Sequence, residues 1–186
     1  LKSAQPDEID HTIRSFVNRH EKYANATGHS EYLLRAFNQI GNTILDRTPD
    51  LARELAETAL THDSSDGHNW VLWSDALDQL GRETEAEAVL WEGRRRLIDR
   101  AHVRVKLGDL LVSRGRVGEA EWVYRDTMRH FPNNPAPPTA LAYLLAQNGR
   151  SDAAEPLLRE TVQRFRDNVL ARTLLARLLI DRKSVV

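Results

Sequence analysis

The run His62-Asp63-Ser64-Ser65-Asp66-Gly67-His68 holds every residue type of a serine hydrolase: a hydroxyl nucleophile, an imidazole base and a carboxylate to orient it. Triad members meet in space from separated positions, however, and a consecutive run rich in Asp, Ser and Gly has the composition of a turn. The run is therefore expected to be a polar connection between helices. His68 and His102 also invite a metal reading. On neighbouring helices roughly 10 Å apart they are too distant to share one ion without further ligands. Glu83, Glu85 and Glu87 look like paired carboxylates, but alternate helical residues face different ways, and acids in a first turn complement the helix dipole. Arg94-Arg95-Arg96, with Arg100, Arg104 and Lys106, is the one basic concentration and could meet RNA or an acidic protein. The interspersed Glu92 and Asp99 instead predict an ion-paired, solvated face. Asn25-Ala26-Thr27 fits the glycan-acceptor triplet, a pattern common by chance.

Composition narrows the chemistry further. The chain has no Cys, so it offers no thiolate nucleophile, no disulfide and no Cys-ligated zinc, and no glycine-rich phosphate loop is present. No catalytic residue, cofactor or metal is expected, and the chain is read as not an enzyme. A net charge of −1 supplies no global field for a phosphate backbone, so nucleic acid is not the expected partner. With 41% hydrophobic residues the 186-residue chain can bury a continuous core. Its apolar runs, such as Leu178-Leu179-Ile180, fall far short of the roughly 18 residues that span a bilayer. No membrane insertion is expected. The chain begins at Leu1 and lacks a signal-peptide pattern, which reads as a segment of a longer protein, cytoplasmic by expectation with the periplasm left open. Only four of the 26 basic residues are Lys, an Arg excess that points to a GC-rich bacterial genome.

The elements that must position these residues follow from a period. Gly81-Arg82, Gly115-Arg116 and Gly149-Arg150 recur every 34 residues, and so do Leu77, Leu111, Leu145 and Ala86, Ala120, Ala154. A fixed period of this size marks a stacked repeat. Within it the apolar spacing is helical, with Trp70, Trp73, Leu77 and then Ala86, Val89, Leu90 at intervals of three and four. Two helices per repeat follow, with the Gly supplying the positive-φ turn between them. Ser151, or Thr48 before Pro49, is expected to cap the second helix, and Phe131-Pro132-Asn133-Asn134 to stop it. Pro156 predicts a later start or a mild kink in its helix.

This pattern resembles the tetratricopeptide repeat family. Residues 101–134 carry the family positions most fully, in Leu107-Gly108, Leu111, Gly115, Ala120, Tyr124 and Pro132. Further copies run over about 34–66, 67–100 and 135–168, and residues 169–183 form a first helix without its second. The 34–66 copy, with Phe37 and Ile40-Gly41, is 33 residues from the next, so its internal turn is expected to be one residue short. Residues 1–32 form an N-terminal helix and linker, with Ile9, Ile13, Phe16 and Val17 on one side of a helix over 6–24, and 33–186 form the array. The resemblance implies an all-α fold, a right-handed superhelical solenoid of antiparallel helix pairs.

It also implies a protein-interaction scaffold that holds a peptide or a partner helix. The groove face of the first helices projects Arg35, Asn38, Asn42, His68, Leu72, Asp75, His102, Lys106, Asp109, Tyr143, Leu174 and Arg177. One subgroup of the family clamps acidic C-terminal tails with Lys and Asn. Here Asn38 and Leu72 replace clamp residues and Asp75 adds a repelling charge, so a partner with basic residues fits better. Trp91 and Trp122 are expected outward on second helices, either as one convex interface patch or shielded by the stems of Arg95 and Arg125. Two rival functions stay open: an accessory, substrate-positioning segment of a larger bacterial enzyme, and an RNA-processing helical repeat suggested by Trp70-x-x-Trp73 and the basic run. The apolar last helix, with Leu170, Leu174, Leu175, Leu178 and Leu179, is expected to dimerise or continue into further repeats.

Overall fold

The computed structural model describes residues 11–19, 22 and 30–183. Ile9, both ends of the helix expected over 6–24, and Asn25-Ala26-Thr27 lie outside them. Among the described residues the chain is helical and contains no strand. It divides into two compact units, Leu1–Ile98 and Asp99–Val186.

The first unit holds α1 (11–19), α2 (Ser30–Ile44), α3 (Pro49–His62), α4 (Gly67–Gln79) and α5 (Glu83–Arg96). Each of α2 to α5 packs on the next, and α2 also touches α4. Their shared core is Leu34, Phe37, Leu51, Leu55 and Leu72, together with Ala52, Ala56, Ala59 and Ala76, where two helices approach closely. Ile13 and Val17 bring α1 onto this core, and Arg14 pairs with Glu54 at its edge.

The second unit holds α6 (Ala101–Ser113), α7 (Val117–His130), α8 (Ala136–Gln147), α9 (Ser151–Arg164) and α10 (Val169–Lys183). Neighbours again pack in sequence, with α6 on α8 and α8 on α10. Leu107, Leu111, Val123, Tyr124, Leu141 and Leu158 are fully buried, as are the period-spaced Ala120 and Ala154.

The Gly-Arg word has a physical meaning in both units. Gly81, Gly115 and Gly149 hold φ of 71°, 71° and 72°. In each case the following Arg N–H reaches the carbonyl five residues back, Leu77, Leu111 or Leu145, at 2.9 Å. That is the Schellman closure of a helix C-terminus, which only the left-handed residue makes available. Arg82 and Arg116 then turn back to grip Glu85 and Glu119 with two guanidinium nitrogens each.

Three local expectations are corrected. Ser151 does not cap α9 but is its first residue; the preceding Arg150 occupies the cap position, as Arg82 and Arg116 do in their repeats, and none makes a side-chain cap bond. Thr48 does occupy the cap position of α3, yet its side chain makes no cap bond either. Of the two outcomes expected at Pro156, the later start does not occur: α9 starts at Ser151 and runs to Arg164, because the Gly149 closure fixes where the chain re-enters a helix. The residue missing from the first copy is lost from the helix rather than the turn, for α2 stops at Ile44 and residues 45–48 connect it to α3.

Candidate interaction surfaces

In the first unit, Arg35, Asn42 and His68 are exposed on α2 and α4, with Asn38 and Asp75 half-buried. An amide ladder ties several of them together. Asn42 Nδ2 donates to the Asn38 carbonyl at 2.7 Å, and Asn38 Nδ2 donates to Asn69 Oδ1 at 3.2 Å. Asn69, fully buried, in turn donates to Asp66 Oδ2 at 3.0 Å, and Asp66 Oδ1 caps α4 by accepting the His68 N–H at 2.9 Å. The hydrolase-like run is thus consumed by structure: Asp63 Oδ1 accepts from the Ser65 N–H, and the Ser64 carbonyl accepts Trp70 Nε1–H.

Leu72 is not a groove residue. It is wholly buried, because the side chain missing at Gly41 leaves a hollow that Leu72 fills; a Cβ on Gly41 would overlap it. Sequence projection placed it on the open face because it could not see that Gly41 lets the helices approach there.

In the second unit, His102 and Lys106 are half-buried on α6, while Asp109 on α6, Tyr143 on α8 and Arg177 on α10 are exposed; Leu174 is half-buried. Asp109 is committed to the fold, since its Oδ1 accepts the Tyr124 hydroxyl hydrogen at 2.6 Å. Burial first and this carboxylate second push the Tyr124 phenol well above its ordinary range. Tyr143, 46% exposed with nothing requiring an aromatic on an outward position, remains the plainest contact candidate of this face.

The two outward tryptophans differ. Trp122, in the second unit, is 48% exposed. Trp91, in the first, is half-buried, donates from Nε1 to Glu87 Oε1 at 3.0 Å, and is covered by the Arg94 guanidinium 5.5 Å from its ring centre. Its shield is Arg94, not Arg95. Arg95 and Arg96 instead converge on Glu92, and the hydrogen bond from Arg95, then that from Arg96, holds the Glu92 carboxyl down at about 2. Arg104 is no surface cation at all: buried, it meets Asp126 Oδ2 at 3.1 Å. The basic run is therefore largely neutralised or buried.

A groove of about 490 Å³ opens between α3 and α5. Leu60 and Thr61 form one wall, Ala88 and Val89 the other, and Trp70 and Trp73 of α4 form the floor, their ring centres 6.0 Å apart. Arg96 lies over the Trp70 ring and joins Glu92 at the rim. Trp73 Nε1 is buried and has no hydrogen-bond acceptor.

Residues 111–178 match the family model for the tetratricopeptide repeat. That stretch carries the tetratricopeptide repeat. Solved structures agree on the fold. A thermophilic tetratricopeptide protein of Thermus thermophilus is 17% identical, covering 94% of this chain and 97% of that one, with a TM-score of 0.67. PilF of Pseudomonas aeruginosa is 20% identical over 96% of this chain and 87% of that one, with a TM-score of 0.57. YrrB, a tetratricopeptide protein with an unusual peptide-binding site, is 18% identical over 87% and 86%, with a TM-score of 0.56. No curated protein matches the sequence.

By fold the chain is an all-α helical-repeat solenoid. Among the described residues no group of three acidic or His side chains is arranged to hold a metal ion. No described helix is long and apolar enough to cross a membrane. Sequence reasoning missed the α3–α5 groove, although Trp70 and Trp73, at i and i+3 on one helix face, were the signal for it.

Proposed function

We propose that this tetratricopeptide array is a binding scaffold that takes a short peptide of a partner protein by an apolar anchor side chain in the α3–α5 groove. The groove itself carries the reading: an open, Trp-floored cleft of about 490 Å³ between two second helices, with one indole N–H lacking an acceptor. Aromatic floors of this kind make effective anchor sites, and polar groups at the rim orient what enters. That YrrB is described as having an unusual peptide-binding site supports placing recognition in a non-standard position on this fold.

A second reading keeps the first-helix face, favoured by the Asn38–Asn42–Asn69 amide ladder and by exposed Tyr143. Arg35, His68 and Asp75 in one unit, and His102, Lys106 and Arg177 in the other, belong to that alternative. Pairing of Arg95 and Arg96 with Glu92 weighs against the basic run as an RNA-processing surface, whereas an accessory role beside a catalytic domain would use the same peptide sites.

Selection from a random peptide library separates the two. The groove reading expects enriched peptides with a Leu, Phe or Trp anchor whose binding is lost in Leu60→Glu and Val89→Glu and kept in Asp75→Ala and Tyr143→Ala. The reverse pattern would assign binding to the first-helix face.

A further inference from the structure

The site that holds Arg104 recurs one repeat later without its arginine. At an offset of 34 residues Asp126 becomes Glu160, Phe131 becomes Phe165 and Arg104 becomes Pro138. In the earlier repeat a guanidinium is the occupant: Arg104 is buried, meets Asp126 Oδ2 at 3.1 Å and lies 5.7 Å from the centre of the Phe131 ring. In the later repeat Pro138 has no such group to offer, and a pocket of about 100 Å³ opens between α7 and α9. Buried Pro138 lines it, together with Met128, Phe131, Leu157, Glu160 and Phe165.

The three acids at this repeat position differ in what they hold. Glu92 pairs with Arg95 and Arg96, and Asp126 pairs with Arg104. Glu160 is exposed and, among the described residues, has no ion-pair partner. Arg164, one turn on, is engaged elsewhere: its Nη2 donates to Asn133 Oδ1 at 2.7 Å, and its guanidinium lies 5.4 Å from the centre of the Phe165 ring. Nor does its presence fill the site, since Glu92 shows that a carboxylate at this position accepts two guanidinium groups. The pocket thus keeps the receiving half of a guanidinium site, a carboxylate and aromatic rings. We propose that the α7–α9 pocket binds an arginine side chain of a partner protein, its planar head against the aromatic lining and its N–H groups on the Glu160 carboxylate. Arginine fits better than lysine because a guanidinium both stacks on a ring and forks onto a carboxylate. The site lies within the second unit and does not depend on the α3–α5 groove.

The test titrates N-acetyl-arginine methylamide into the full chain and follows backbone amide shifts by NMR. Saturable shifts are expected at Glu160 and Phe165. Removing the charge in Glu160→Gln should weaken binding about fivefold or more, and the lysine analogue should bind more weakly than the arginine one by a similar factor. Pro138→Arg, which puts a guanidinium on the chain where the earlier repeat has Arg104, should abolish binding by filling the pocket from within. Leu60→Glu should leave it unchanged, and thermal melts of each variant check that the fold is intact. Absence of saturable shifts, or binding unchanged in Glu160→Gln, overturns the proposal. So does N-acetyl-leucine methylamide shifting the same amides at equal affinity, which would make the pocket a plain apolar site.

Discussion

Tyr124 of α7 donates its phenolic hydrogen to Asp109 Oδ1 of α6 at 2.6 Å, beside a glycine, Gly108, with no side chain to keep the ring away. A hydrogen bond to a charged acceptor is worth about 1.5–3 kcal/mol, so Asp109→Ala should lower stability by about that amount in urea titrations at neutral pH. The bond also predicts an alkaline limb. The Tyr124 phenol ionises higher in the fold than its ordinary 10, so its contribution is complete below pH 10 and lost as pH rises beyond it. Stability should therefore decline above pH 10, and less steeply in Tyr124→Phe.

Two helical glycines should respond to alanine with opposite signs. A Cβ at Gly108 meets the Tyr124 ring, whose burial leaves it little room to retreat, so Gly108→Ala should cost about 1–3 kcal/mol by overpacking. A Cβ at Gly118, in the first turn of α7, meets nothing within 4 Å. Gly118→Ala should be neutral or raise stability by up to about 1 kcal/mol through reduced unfolded-state entropy. Equal shifts in the two denaturation midpoints would contradict this packing.

The pairs α4–α5, α6–α7 and α8–α9 were legible because each states the same local physics: a positive-φ Gly, a Leu whose carbonyl accepts the N–H of the residue after that Gly, and a buried Ala on the second helix. What escaped were relationships between repeats. Leu72 projects from a helical wheel onto the open face, and only the hollow at Gly41, 31 residues earlier, draws it inward. Arg104 reads as part of a basic run until its pairing with Asp126, 22 residues away, puts it in the core. The groove floor was hidden for the same reason, since Trp70 and Trp73 belong to one helix but the walls to two others.

Glu92 should titrate far from an ordinary glutamate. Its carboxyl is held at about 2, against an ordinary 4.5, by hydrogen bonds from Arg95 and then Arg96. A depressed folded value means stability that is present above pH 4.5 and lost as pH falls toward 2. In a pH series of carboxyl-carbon NMR spectra the Glu92 midpoint should lie near 2 and return toward 4.5 in Arg95→Ala/Arg96→Ala. An unmoved midpoint in that variant would mean that the two arginines do not hold the charge.

Arg104 and Asp126 are 5% and 7% exposed, and the guanidinium also lies 5.7 Å from the centre of the Phe131 ring. Removing one partner strands a buried charge, so Asp126→Ala should cost about 3–5 kcal/mol, whereas replacing both by apolar residues of similar volume should be near neutral or stabilising by about 1–4 kcal/mol. Comparing Asp126→Leu, Arg104→Met and the double variant by urea denaturation isolates the pairwise contribution. The double variant should be more stable than either single one. If the three lose stability additively, each residue acts through its own packing, and the 3.1 Å contact between them is incidental to the stability of the second unit.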